Sequence, residues 1–210
     1  MEKRVVITIG RRFGSGGHVV GELLATALQI PYYNNELIKL AAQRGDLDKK
    51  MMEKFDEKKS NPFLFEGNYK GNEFAPKGEP MEDVLFKLQS DVITNIAIKS
   101  DAVIIGRCAD YVLEQDRGKN PEINILSVFI DAPLEQRIER VKSYYDFDDE
   151  QAEKIIKKRD KQRKAYYDSH TKRKWAEKET YLYYFDSGVI SINDIAKEVK
   201  NIYEKMKKEV

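Results

Sequence analysis

Short runs of apolar, β-branched residues recur along this chain and are separated by stretches with helical spacing, a pattern that restricts the fold more than any other feature. The runs are Arg4–Ile9, Ala102–Ile105 and Ile123–Ile130, with a weaker tyrosine-rich run at Tyr181–Phe185. Helical spacing fills Val19–Leu28, Met81–Lys99, Pro133–Val141 and Ile192–Met206. Strands that alternate with helices pair in parallel, because each return crossover needs a helix, and those helices cover both faces of the sheet. A run as short and uniformly apolar as "AVII" fits a strand buried on both sides. The pattern predicts a doubly wound α/β domain.

Two segments break the alternation. From Arg44 to Pro80 the chain is charged, then rich in aromatics, Gly and Pro ("NPFLFEGNYKGNEFAPKGEP"), and reads as an inserted flap on the substrate side. From Lys142 to Trp175 it reads as a long, highly charged helix dotted with tyrosines, suited to a mobile lid. Solvated surface insertion is the plainer alternative for both.

The 210 residues suit one domain with an embedded lid. A chain of this size buries roughly 70% of its unfolded surface and needs no staple. Cys108 is the sole cysteine, which excludes an internal disulfide framework and suits a reducing compartment. The start "MEKRVV" lacks the apolar core of a signal peptide, and no apolar stretch approaches membrane-spanning length. A cytoplasmic protein without a membrane partner is expected. Lys plus Arg number 37 against 36 acidic residues, a formal charge of +1. Dedicated nucleic-acid binders are usually globally basic, so no nucleic-acid partner is expected despite the basic stretch Lys154–Lys178.

The first strand runs directly into "GRRFGSGGHVVGELL". Gly14, Gly16 and Gly17 permit backbone N–H groups to approach an anion closely, and the helix beginning at His18 would present its positive dipole end. The lysine-bearing pattern G-x-x-x-x-G-K-[ST] is not met: Gly17 stands in the lysine slot and His18 in the Ser/Thr slot. One charge pair at about 4 Å is worth on the order of 4 kcal/mol at an effective dielectric of 20, so another cation must compensate. Arg11 and Arg12 are the nearest. A ligand-free strand-to-helix turn is the alternative reading of the loop, and a surface histidine that of His18.

"GRRFGSGGHVVGELLATALQIPYYNNELI" resembles the opening of the cytidylate kinase-like family, a branch of the P-loop nucleoside monophosphate kinases whose F/Y-G-S-G-G loop lacks the lysine. "IIGRCADYVL", "FIDAPLEQRIERV", "KKRDKQRKAYYDSHTKRKW" and "YFDSGVISINDIAKEV" match in order, so that only Arg44–Pro80 is poorly covered. The resemblance implies a three-layer P-loop NTPase-like domain: a five-stranded parallel sheet, an acceptor-binding insertion and an arginine-bearing helical lid. It also implies transfer of the γ-phosphoryl group of ATP, with Mg²⁺, to a nucleoside monophosphate such as CMP or dCMP. By the same resemblance Phe13, Gly14, Ser15, Gly16, Gly17 and His18 form the phosphate loop. Arg107 would contact the acceptor, with Asn34 and Asp110 nearby. Arg159 and Arg163 of "KRDKQR" would clamp phosphates, with Arg12 as a further catalytic cation. Arg137 and Arg140 lean the same way.

The chain departs from the family pattern at Cys108 and Ile105, where acidic residues are usual, and at Asn34, where aspartate is usual. The base-reading and metal-side carboxylates are therefore missing from their places, and no metal ligand is assigned. Asp110 either stands in for one of them or caps its helix. A kinase of another small acceptor, and a nucleotide-binding regulatory protein without turnover, are the alternative functions. Cys108 and Trp175 read as packing residues and His170 as lid surface.

Overall fold

A computed structural model describes residues 3–47, 50, 53, 56–57 and 80–209. The central strand β1 (Arg4–Arg11) has Val5, Val6, Ile7 and Ile9 fully buried, because it is flanked on both edges and covered on both faces. It pairs in parallel with β3 (Ala102–Ile105), Val6 opposite Ala102 and Ile9 opposite Ile105. On its other edge lies β4 (Ile123–Asp131), Arg4 opposite Ile123 and Arg11 opposite Ile130. The outer strands are β2 (Tyr32–Tyr33) and β5 (Tyr183–Asp186), giving a five-stranded parallel sheet in the order β2-β3-β1-β4-β5. The expected α/β sheet is thus present. Its last strand, β5, begins later than the tyrosine-rich run suggests. Tyr181 turns its ring onto Phe129, and Leu182 donates its N–H to the Ser127 hydroxyl at 3.0 Å, so ladder pairing starts only at Tyr183.

One face is covered by α1 (Gly17–Leu28) and α7 (Ile192–Lys208). Val20, Leu24, Ile195 and Val199 pack there on Val5, Ile7 and Ile9, each helix's pair four residues apart as one face of an amphipathic helix requires. Ser191 caps α7 by accepting the Asp194 N–H. The opposite face holds α2 (Glu36–Gly45), α3 (Met81–Lys99) and α4 (Ala109–Asp116), with Leu37, Ile93, Ile96 and Leu113 against Val6 and Ile104. Helix α2 is not anticipated above, although Leu37, Ile38, Ala41 and Ala42 carry its apolar stripe.

Beyond β4, the helix expected over Pro133–Val141 is present, but the lid helix expected over Lys142–Trp175 is confined to Asp149–His170. Helix α5 (Leu134–Tyr144) ends before "DFDDEQ", and α6 (Asp149–His170) begins with a reciprocal capping box between Asp148 and Gln151. Val141, Ala152 and Ile156 pack the two helices together. His170 does not lie on the surface as expected. Its ring stacks on Phe86 at 4.3 Å, because the last turn of α6 faces α3. Trp175 and Cys108 are buried with Phe129, Tyr166, Tyr167 and Tyr181, in keeping with packing roles. The Arg44–Pro80 flap lies largely outside the described residues. Among the described residues no helix is long and apolar enough to cross a membrane.

Candidate active site

The carboxyl end of β1 opens into the glycine loop. Gly14 and Gly16 both have positive φ (79° and 83°), which lets the loop turn back into α1 with Gly16 as its N-terminal cap residue. An added Cβ at Gly16 would lie 2.4 Å from Ile192, so α7 also requires glycine there. The Ser15 hydroxyl points inward, donating toward the carbonyls of Arg12 (2.9 Å) and Ile130 (2.8 Å), and is fully buried. Ser15 therefore shapes the loop from beneath. His18 sits exposed on the first turn of α1, beside the Tyr32 hydroxyl and 3.4 Å from the Asn34 amide. It ties the loop to the β2 end.

Arginines surround the glycine loop from four elements. Arg11 comes from β1, Arg107 from the turn after β3, Arg137 and Arg140 from α5, and Arg163 from α6. Arg163 Nη1 donates to the Arg11 carbonyl at 3.2 Å, and its guanidinium lies over the Phe13 ring. Arg137 Nη1 donates to the Phe13 carbonyl at 3.3 Å, and Arg140 reaches the Gly14 carbonyl at 3.4 Å. Arg140 also holds the Ser187 hydroxyl and carbonyl, each at 2.8 Å, while that hydroxyl donates to the Ser15 carbonyl at 2.7 Å. Helix α5 and the turn after β5 thereby grip both sides of the loop.

Arg11, Arg107, Arg137 and Arg163 each meet a carboxylate of the chain, as does Arg12, whereas Arg140 binds only Gly14 and Ser187 among the described residues. Arg12 pairs with Asp131 at 3.0 Å, and Arg137 with Asp160 at 2.6 Å. Asp160 also accepts the Phe13 N–H at 2.8 Å, so a carboxylate of α6 holds a backbone amide of the glycine loop. Arg11 and Arg163 share Glu57, and Arg107 binds Asp56 at 2.7 Å. Burial pushes the Glu57 carboxyl up, but Arg11, Arg163 and Arg107 together overwhelm that and hold it well below the usual range. Burial, followed by repulsion from Arg11, pushes Arg163 down to about 10, still charged at neutral pH.

After β3, Arg107, expected above to contact the acceptor, is fixed by the Asn34 amide oxygen at 2.9 Å and the Ile105 carbonyl at 3.0 Å. Asp110 lies buried in the first turn of α4 and accepts the Tyr167 hydroxyl at 2.6 Å. Burial pushes its carboxyl up, and that hydrogen bond offsets the shift only in part. Arg159 stands apart from its expected partner: it is exposed on α6 and makes no side-chain hydrogen bond or ion pair among the described residues, whereas Arg163 is turned onto the loop. Asp56, Glu57, Asp131, Asp160 and Ser187 complete the site without having been singled out in the sequence. Asp160 lies inside "KRDKQR" and Ser187 inside "FDSG", so motif position pointed near them; "KFDEKK" carries no such signal.

The donor set does not fit a resident divalent ion. Ser15 is committed to backbone carbonyls, and among the described residues no three His, Cys, Asp or Glu side chains are placed to share a metal.

A glycine loop at the carboxyl end of the central strand, in a sheet of this order, ringed by arginines, is the architecture of a P-loop kinase. The model of the cytidylate kinase-like family matches residues 6–188. The chain belongs to that family. A cytidylate kinase from Methanopyrus kandleri (strain AV19) is 29% identical over 162 residues, covering 75% of this chain and 71% of that protein. A crystal structure of an uncharacterized protein from Eubacterium ventriosum ATCC 27560 superposes with a TM-score of 0.69 at 25% identity, covering 96% of this chain and 99% of that one. A gluconokinase from Sinorhizobium meliloti 1021 shares the fold, with a TM-score of 0.57 at 12% identity over 100% of this chain and 97% of its own.

Proposed function

We propose that this protein transfers the γ-phosphoryl group of Mg-ATP to a nucleoside monophosphate, with CMP and dCMP as the first acceptors to consider. The observation that carries the reading is the convergence of Arg163 from α6, Arg11 from β1 and Arg107 from the β3 turn on one space beside the glycine loop. Phosphoryl transfer asks little covalent chemistry of a protein and much positioning and charge neutralisation. An acceptor phosphate oxygen would form the new bond to the γ-phosphorus as the bond to the β,γ-bridging oxygen breaks and ADP departs. The loop amides and α1 dipole would cradle the donor phosphates. Arg163 would neutralise the transferring group, its guanidinium supplying paired donors in a fixed fork. Arg107, held by Asn34, would face the acceptor.

A different small acceptor is the second reading, and a specific observation favours it. Cys108 is buried at the position where a base-reading carboxylate is usual and Ile105 where another acidic residue is usual, and Asp110 is engaged by Tyr167. Coupled ADP release from Mg-ATP against CMP, dCMP, UMP, AMP and GMP decides between them. Turnover of about 1–100 per second with CMP or dCMP, in the usual range for kinases, supports the first reading. No acceleration by any nucleotide, with ATP binding retained, overturns it.

A further inference from the structure

Residues 106–108 adopt three consecutive left-handed conformations, Gly106 at φ 72°, Arg107 at 52° and Cys108 at 54°. Two non-glycine residues held there in succession store backbone strain, which clusters where a protein has a functional use for it. Turns of this kind aim main-chain N–H groups into a concavity suited to an anion. The Arg107 N–H does face an anion, the Glu57 carboxylate, with Oε1 3.4 Å away. Arg11 Nη1 reaches the same oxygen at 2.7 Å, while Arg11 Nη2 and Arg163 Nε reach Oε2 at 3.3 Å each. Gly106 is the floor. A Cβ there would stand 2.1 Å from Glu57 Oε1 and 2.2 Å from Arg11 Nη1, so the cradle exists because residue 106 has no side chain.

Four donors, three of them guanidinium N–H groups from two arginines, converge on one small anion beside the glycine loop. This is the donor set of a phosphate site, filled here by a side chain of the chain itself. The remaining space is about 20 Å³, bounded by Thr8, Gly10, Arg11, Glu57, Arg107 and Arg163. That is room for about one water, and the buried Thr8 hydroxyl, with no partner among the described residues, lines it. A phosphoryl group cannot enter beside Glu57. It can enter in place of it.

We infer that Glu57 is a built-in substitute for a substrate phosphate, and that the Arg11–Arg163 pair with the Gly106–Arg107 turn is a phosphate site opened by exchange of that carboxylate. The carboxylate keeps two mutually repelling, buried arginines together without ligand. A dianionic phosphate brings more charge and a third oxygen, and so takes the cradle over. Asp56 remains on Arg107 at 2.7 Å, with Gln89 donating to it at 3.0 Å, so the acceptor-side arginine need not lose its partner in the exchange. The inference rests on the kinase reading for the identity of the anion and on geometry alone for the exchange.

Calorimetric titration with inorganic phosphate and with pyrophosphate, in the absence of nucleotide, tests it. Glu57→Gln keeps the shape and removes the competing charge, and it should bind pyrophosphate at least tenfold more tightly than the parent. Arg163→Ala added to it should abolish that gain. Glu57→Gln should also melt at lower temperature than the parent and recover more on adding phosphate. If that variant does not fold, Glu57→Asp, which keeps the charge but shortens the reach, should still tighten binding about threefold. Unchanged or weaker binding in the folded variants overturns the exchange and makes Glu57 a plain structural partner of the arginines. Tighter binding in Glu57→Gln without ADP formation from any acceptor would overturn the kinase reading and leave the exchange standing. Normal turnover with unchanged phosphate affinity would do the reverse.

Discussion

Arg159 and Arg163 are four residues apart on α6, a spacing that brings side chains to neighbouring positions on one face. Their surroundings nevertheless differ. Arg163 lies against Arg11, Phe13 and Glu57, while Arg159 stands in solvent. Under the proposed activity, Arg163→Ala should lower kcat by roughly 10²- to 10³-fold, the scale of losing one preorganised donor to a transition state. Arg159→Ala should stay within about threefold. Steady-state kinetics on both variants, with circular dichroism to confirm folding, checks the pair; equal losses would show that α6 turns before chemistry. Gly106 gives a second outcome at this scale. Gly106→Ala combines a strained φ with overpacking against Arg11 and Glu57, and should cost about 2–4 kcal/mol, read as a lower urea midpoint.

Among the elements, α7 owes its seat to one carboxylate as much as to its apolar stripe. Asp101, at the start of β3, accepts the Val5 N–H at 2.9 Å, the Tyr203 hydroxyl at 2.5 Å and Lys207 at 3.0 Å, tying β1, β3 and α7 together. Burial pushes its carboxyl up, but those hydrogen bonds and the Lys207 charge prevail and hold it below its ordinary value. A carboxylate lowered on folding contributes stability above its unfolded pKa, near 3.9, and loses it as pH falls through the lower folded value. Asp101→Asn should therefore cost about 1–3 kcal/mol at pH 7, and the difference from the parent should narrow as pH drops below about 4. Urea melts at several pH values measure this; a gap constant with pH would mean that packing, not charge, is lost. The exposed pairs along α6, Glu153–Lys157 and Lys164–Asp168, should matter far less, because solvent screens them.

Across the whole molecule, the aromatic cluster under the site joins the sheet to α6. Phe129 of β4 meets Trp175 edge-on at 5.6 Å and Tyr181 at 4.8 Å, and Tyr166 and Tyr167 bring the last turns of α6 onto the same cluster. Cys108 lies within it, 2% exposed, and burial pushes its thiol well above the ordinary range. Its modification therefore requires the cluster to open. In native buffer at neutral pH, labelling by a thiol-specific reagent should run at least about 10³-fold slower than in denaturant, tracking the open population. Near-equal rates would place α6 in a loose equilibrium with the sheet and undercut a site built from both.

By itself, the sequence determined the alternation of apolar strands and amphipathic helices, the glycine loop after the first strand, and arginines in numbers sufficient to replace a lysine. Those features are local: hydrophobic periodicity and glycine placement act within a few residues, so they can be read one window at a time. The start of α6 was local too, written in the capping residues of "DFDDEQ", but continuous charge from Lys142 onward masked it. Which cation faces which anion was not local. Arg11 meets Glu57 across 46 positions and Arg163 across 152, and neither distance leaves a mark in spacing or composition. Charged residues on a helix look alike until packing turns one inward, as it turned Arg163 and left Arg159 outside. Desolvation does the rest, because a buried guanidinium must find an anion, and only the folded chain decides that the nearest one is Glu57.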